Sequence, residues 1–512
     1  MKVLIKSIKV PYILLGIQTR KGGLFIVKTC DVKRDNFMIH VIVTLLFMFG
    51  FGYLPPVEPI TPIGMKMLGI FIGLVYAWST TSLLWPTFVG MLAIVSSGVF
   101  TMTDFSKLSF GHETVVFIIL VTAFAMALNE AGLVKFLSSW IISRKIVEGR
   151  PWVFTLMILM GAFLGGMLVN SLASVIFFWS ILYSVCKEFD MKPYDKYPSL
   201  MVFGIVFASM TAGMTVLPFR MTALIVLGAL KSVTDISVSF AEYVAFTLPM
   251  GILLILAYFG TMKYIFRCDL TCMKGISVNF VDKNDLLLDK KQKFAFFLTV
   301  LMILLLIGAD LLKVFLPEFF LTKLLMQWGV VGIILLILSL ALIVRIDGVP
   351  FMDFKKAMQG VDWGMTYLFA IILPFSSLLT SDITGIKLFL IQTLSPLFLG
   401  KPFIIFAAIV LIIGTVLTNM ANNAVLLVIF INVCAPICGS LGVSPVPLVM
   451  CMLWCFQLAY MTPGASGPAA FVFGNAEWIK PTMMYKYIAV IIIVLFFVSF
   501  GIGLPAAMAI FQ

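Results

Sequence analysis

The polar residues able to do chemistry in this chain sit in four breaks within otherwise apolar stretches. The breaks are Val169-Asn170-Ser171-Leu172-Ala173-Ser174, Thr211 to Thr222 with Gly213, Pro218 and Arg220, Thr418-Asn419-Met420-Ala421-Asn422-Asn423, and Met461-Thr462-Pro463-Gly464-Ala465-Ser466-Gly467-Pro468. A helix is interrupted inside a membrane only where its freed N–H and C=O groups find other partners. The N-terminus of a half-helix offers donors and partial positive charge to an anion. Freed carbonyls beside Asn, Ser and Thr oxygens suit a sodium ion. The four breaks therefore fit a carboxylate and a sodium ion held where discontinuous helices meet. The plainer alternative is that such side chains only bond neighbouring helices. It suits one isolated asparagine better than breaks that recur at matching points.

Arg220 is the sharpest single residue. An arginine near the bilayer centre costs roughly 2.5–3.5 kcal/mol on insertion scales, so it requires a partner or a wet cavity. Because it falls inside a break, it is read as a fixed cation beside substrate, with Thr222 next to it. The alternative is an arginine that snorkels outward or forms a structural pair. Glu130 and Asp382, just before two short amphipathic segments, are expected to orient those segments rather than carry protons.

The breaks come in two sets. Phe110-Gly111, Glu130, Gly132-Leu133 and Asn170 are matched by Trp363-Gly364, Asp382, Gly385-Ile386 and Asn423, and both glycine-to-asparagine intervals are 38 residues. The glycines and the asparagines each lie 253 positions apart. An inverted repeat built this way points to a secondary transporter whose site lies between the copies.

The elements that must position these residues are helices. Apolar spans are expected near 38–54, 63–81, 84–100, 114–131, 199–230, 241–262, 294–316, 324–344, 364–381, 445–474 and 487–507, about eleven transmembrane helices. Two further stretches, 151–186 and 402–440, are expected to be re-entrant hairpins. Leu133–Ile146 and Ile386–Leu399 are expected to be interfacial arms preceding them. The organisation is then a cytoplasmic segment (1–36), a first transmembrane helix (37–61), a first repeat (62–262), a cytoplasmic linker (263–293), a second repeat (294–475) and a final helix (476–512).

Charge sets the orientation. With a cytoplasmic N-terminus, 27 of the 35 Lys and Arg fall in inside loops and seven outside, Arg220 being the one within a span. This bias favours an N-terminus inside and a C-terminus outside a plasma (inner) membrane. The first hairpin would then open to the cytoplasm and the second to the outside.

Composition supports the class. The 512 residues are 62% hydrophobic and 11% charged, with mean hydropathy +1.14, which describes an all-α polytopic membrane protein without a soluble domain. The net charge of +12 is scattered through short loops, so no nucleic-acid partner is expected. Residues 10–27 are interrupted by Gln18, Arg20 and Lys21 and do not read as a signal peptide. His40 and His112 stand far apart, against a His-based metal site or membrane acyl transfer. The i, i+4 pairs Cys268/Cys272, Cys434/Cys438 and Cys451/Cys455 read as packing residues.

From about residue 60 onward, these ordered features resemble the divalent-anion/sodium symporter family of the ion-transporter superfamily. That family carries a Ser-Asn-Thr triplet at each hairpin tip. Asn422-Asn423-Ala424 takes that place at the second tip and Val169-Asn170-Ser171 at the first. The resemblance implies that Asn170, Ser171, Asn422 and Asn423 contact substrate or shape sodium sites, and that Thr462 and Pro463 line the substrate. It places a second sodium site at Thr418 and Asn423 with the carbonyls of Ala421 and Met461. It also implies a homodimer and an elevator motion.

The departures fall mostly on the first copy. Val169 lacks the leading hydroxyl, Gly165 occupies the small polar position one turn earlier, and Phe219-Arg220-Met221-Thr222 replaces Ser/Thr-Pro-Pro-Asn. In the second copy Asn419 stands for a usual acidic residue and Ala424 lacks a hydroxyl. The first sodium site, at Asn170, is thus expected to be weakened, with the Arg220 guanidinium in its place.

The expected function is secondary active transport of a small organic or inorganic anion, di- or tricarboxylate-like, coupled to sodium and without an organic cofactor. Two alternatives are a sodium-independent exchanger using Arg220 and a cation/proton antiporter on the same scaffold. The antiporter would need a carboxylate at the breaks, and a membrane enzyme would need a His- or Asp-based catalytic set; the breaks contain neither.

Overall fold

A computed structural model describes residues 34–132, 148–168, 171–216, 221–273, 275, 288–398, 400–420, 422–462, 465–475 and 477–511. The described residues are 78% helical with almost no strand, an all-α fold as the apolar periodicity requires. Among the described residues eight helices are long and apolar enough to cross a membrane, and shorter apolar helices accompany them.

The first part of the chain forms α1 (Arg34–Leu45), α2 (Pro62–Thr80), α3 (Leu84–Ser96), α4 (Met102–Leu108) and α5 (Glu113–Glu130). A helix–break–helix hairpin follows, α6 (Pro151–Leu168) and α7 (Ser171–Glu188). Next come a broken helix, α8 (Lys196–Ala212) and α9 (Met221–Thr234), and the long α10 (Phe240–Gly260). After the linker, α11 (Lys290–Phe315) and α12 (Phe320–Ile343) lead through a two-residue β-ladder to α13 (Phe354–Ala357). The order then recurs: α14 (Trp363–Thr380), α15 (Ile386–Leu394), a hairpin of α16 (Phe403–Leu417) and α17 (Asn423–Ser440), and a broken helix of α18 (Val446–Cys455) and α19 (Gly467–Gly474). The chain ends with α20 (Pro481–Val498) and α21 (Leu504–Phe511).

Local sequence sets many of these boundaries. The Thr61 hydroxyl caps α2 ahead of Pro62, Ser239 with Glu242 closes a capping box on α10, and Asp289 with Gln292 does so on α11. Of the repeated glycines, Gly132 follows the end of α5 and Gly385 is the N-cap of α15. Gly132 has φ +73° and Gly385 φ +68°, backbone that glycine adopts without steric cost. A Cβ at Gly385 would also stand 2.0 Å from the Pro59 carbonyl.

The two sets of elements interlock. The half-helix after the first break, α9, packs on α17 and α14 of the second set, and α19 after the second break packs on α8 of the first. Tyr183 of α7 stacks on Trp478 at 5.1 Å and accepts a hydrogen bond from the Asn475 amide. Ser199 of α8 donates to the Trp478 carbonyl at 3.0 Å. Helix α8 is buried along nearly its whole length, so the centre of the protein lies where hairpin and broken helices cross.

Three of the four breaks have boundaries other than the sequence suggested. The first hairpin resumes as helix at Ser171, and Ser174 lies inside α7, donating to the Ala162 carbonyl at 2.9 Å. The second break opens one residue beyond Ala212 and closes at Met221. The fourth opens at Phe456, five residues before Met461. There the Phe456 and Leu458 carbonyls accept from hairpin side chains (Thr418 and Asn419), so that stretch need not remain helical. Of the two arms, the segment 133–147 lies outside the described residues, and the second runs Ile386–Leu394 as α15.

Candidate substrate site

Of the two broken helices, α8–α9 carries what is called the first break from here on and α18–α19 the second; the tip of the second hairpin is fastened to that second break, which opens at Phe456, through four side chains. Thr418, fully buried, donates its hydroxyl proton to the Phe456 carbonyl at 2.7 Å. The Asn419 amide donates to the carbonyls of Thr415 at 2.8 Å and Leu458 at 3.3 Å, and its Oδ1 accepts from the Met461 N–H at 2.8 Å. Asn423 Nδ2 donates to Gln457 Oε1 at 3.1 Å. Thr462 Oγ1 donates to the Asn419 carbonyl at 3.3 Å. Asn422 accepts from the N–H groups of Ala424 and Val425 and so caps α17.

Close approach makes these bonds possible. A Cβ on Gly414 would lie 1.9 Å from the Phe456 ring, so only glycine lets α16 reach the break. On the other side Ser466 donates to the Ala459 carbonyl at 2.7 Å and accepts from the Ala469 N–H, folding the break back on itself and capping α19. The freed backbone groups of the second break thus find partners on the hairpin and within the break, as membrane depth demands.

The first break is satisfied differently. Tyr243 of α10 donates to the Met214 carbonyl at 2.5 Å and Thr247 to the Thr215 carbonyl at 2.7 Å. Gly251 lies so close that a Cβ would stand 2.4 Å from Thr215. The first hairpin meets α8 through Ser209, which donates to the Ala162 carbonyl at 3.2 Å and to Ser174 at 3.3 Å. A Cβ on Gly166 would lie 2.4 Å from the Ser209 carbonyl.

The expected site residues distribute as follows. Thr418, Asn423, Met461 and Thr462 converge on one joint, and Asn422 borders it as a helix cap. Ser171 is half-buried at the start of α7, and Thr222 is buried in the first turn of α9. Asn170, Arg220, Ala421 and Pro463 lie outside the described residues. Asn419 and Gln457 hold the joint together yet were not among the expected site residues. Asn419 was visible within its polar cluster. Gln457 was visible as a lone amide in an apolar run but fell in a stretch read as continuous helix.

Glu130 forms an ion pair with Lys356 at 2.9 Å, joining the end of α5 to α13. Its hydrogen bond and charge raise the Lys356 ammonium pKa above the usual lysine range. The segment that Glu130 was expected to orient lies outside the described residues; its observed partner is Lys356. Asp382 is exposed, and its carbonyl accepts from the Gly385 N–H in the turn before α15.

A fold of paired hairpins and broken helices with a polar joint between them is that of a membrane transporter. Two solved transporters share it: YdaH of Alcanivorax borkumensis, with TM-score 0.55 and 13% identity over 90% of this chain and 97% of its own, and MtrF of Neisseria gonorrhoeae, described among antimetabolite efflux pumps, with TM-score 0.51 and 13% identity over 90% and 94%. A sequence model of the citrate transporter family, CitMHS, matches residues 71–424, and the chain belongs to that family. An uncharacterized transporter of Haemophilus influenzae is 22% identical over 464 residues, covering 89% of this chain and 93% of its own. The protein is accordingly a multi-pass membrane transporter and not an enzyme.

Proposed function

We propose that this transporter carries a di- or tricarboxylate, with citrate the first candidate, and binds it where the second hairpin tip meets the second break. The observation that carries the reading is the convergence of Thr418, Asn419 and Asn423 on the segment 456–458. Asparagine and backbone N–H donors at a helix N-terminus suit a carboxylate, and asparagine, threonine and carbonyl oxygens beside them suit a cation. A sodium ion at Thr418, Asn423 and the carbonyls of Ala421 and Met461 is the coupling we favour, as the divalent-anion/sodium symporters imply. Elevator movement of the hairpins, a homodimer, a cytoplasmic N-terminus and an external C-terminus complete the proposal.

A second reading is exchange without sodium at the first copy. The Met214 and Thr215 carbonyls accept from α10, whereas the Phe456 and Leu458 carbonyls accept from the second hairpin tip, which supports unlike roles for the two copies. Arg220 would then supply the fixed positive charge. Uptake of labelled di- and tricarboxylates into proteoliposomes, with and without a sodium gradient, separates the readings. Uptake accelerated at least tenfold by inward sodium supports symport, and sodium-indifferent uptake driven by internal anion supports exchange. Failure to move any carboxylate would refute both.

A further inference from the structure

The two ends of the Gln457 amide stand in different surroundings. Oε1 accepts from Asn423, whereas Nε2 is shut away from solvent without an acceptor. One turn earlier Trp454 is 3% exposed, and its Nε1–H also lacks an acceptor. Both side chains line one gap between the breaks, with Thr211 and Met214 from the first copy opposite Leu458 and Tyr460 from the second. The gap and the open space at its mouth together come to about 290 Å³, of which the part between these side chains is about the size of one water. That is room for about one oxygen atom.

The chemistry of the gap is one-sided. Among the described residues its two unpaired polar atoms are both N–H donors, and no acidic or basic side chain lines it. A buried donor is costly unless an acceptor reaches it, and a charged oxygen is the strongest acceptor for it. A metal ion does not suit N–H donors. The gap also adjoins the residue whose amide touches the hairpin tip, since Asn423 holds Gln457 by its oxygen and leaves the nitrogen end over.

We propose that Trp454 and Gln457 form a subsite for one carboxylate oxygen of the substrate, with the Trp454 Nε1–H and Gln457 Nε2–H as its donors. The inference rests on the carboxylate reading above. It adds two binding residues and a specificity: an ionised carboxylate is accepted there, and a substrate carrying an amide or a methyl group in that position is not. The oxygen reaches the gap when the hairpin tip moves off the break, which also separates Asn423 from Gln457.

The test is citrate uptake by the full chain in proteoliposomes, for wild type, Trp454→Phe, Gln457→Leu and Gln457→Glu. Trp454→Phe keeps a ring in the packing and removes only the donor and the benzo edge. The expected result is a KM raised at least tenfold in Trp454→Phe and in Gln457→Leu with Vmax within threefold, and loss of uptake in Gln457→Glu. A KM within twofold of wild type in Trp454→Phe would overturn the subsite and leave the gap to a structural water. Should Gln457→Leu not give monodisperse protein, Trp454→Phe decides alone. Wild-type protein that moves no carboxylate would overturn the carboxylate reading and this subsite together, whereas wild-type uptake with unchanged variant KM overturns the subsite only.

Discussion

At the residue scale, Asn419 shows why chemical type matters more than polarity. Its nitrogen faces two carbonyls and its oxygen faces one N–H, an arrangement only an amide satisfies. An acid at this position would place a carboxylate oxygen against the carbonyls of Thr415 and Leu458. Asn419→Asp is therefore expected to abolish transport. Asn419→Ala is expected to lower stability by roughly 1–3 kcal/mol for each buried group left unpaired. Thermal unfolding in detergent beside an uptake assay checks both, and wild-type behaviour of either variant would contradict the network. The departure at Asn419 was plain in the sequence. Its meaning was not, because the partners lie about forty residues away and come together only on folding.

At the element scale, the repeated glycines were legible and the extent of the breaks was not. Gly132 and Gly385 could be paired by spacing alone, and both adopt left-handed backbone. Gly385→Ala should destabilise the protein by about 1–2 kcal/mol from backbone strain, with a further loss from the clash at Pro59. A melting temperature equal to wild type would contradict this. The fourth break was placed too late because Phe456, Gln457 and Leu458 read as apolar helix with one amide. Hydropathy counts side chains, whereas this break is made by backbone carbonyls that accept from another hairpin. Gly414→Val should force α16 away from Phe456 and cut uptake at least tenfold while leaving expression near normal. Unimpaired uptake would mean that the hairpin does not need its close seat on the break.

At the scale of the whole molecule, the class was readable from composition and from the doubled order of elements. The interlock of the two sets was not. Nothing local says that α9 packs on α17, or that Trp478 stacks on Tyr183 nearly three hundred residues away. Such pairings put the two breaks at one place, which is how a repeat becomes a binding site. The two copies differ in how their breaks are bonded. Carbonyls of the first break accept from Tyr243 and Thr247, while those of the second accept from the hairpin tip itself. If the second hairpin moves during transport, its bonds must break and those of the first break need not. Cysteines introduced at Ser209 and Ser174 should therefore crosslink irrespective of substrate, whereas Thr418→Cys with Gln457→Cys should crosslink less when citrate is present. Equal crosslinking of the second pair with and without citrate would contradict movement at that joint.

The most direct measurement is the initial rate of labelled citrate uptake in proteoliposomes by wild type and Asn423→Ala. Asn423 is the residue at which hairpin tip, break and proposed substrate meet. The account predicts saturable uptake by wild type and a Vmax/KM at least tenfold lower in Asn423→Ala, with the variant still monodisperse. Uptake by Asn423→Ala equal to wild type would contradict a substrate site at the second hairpin.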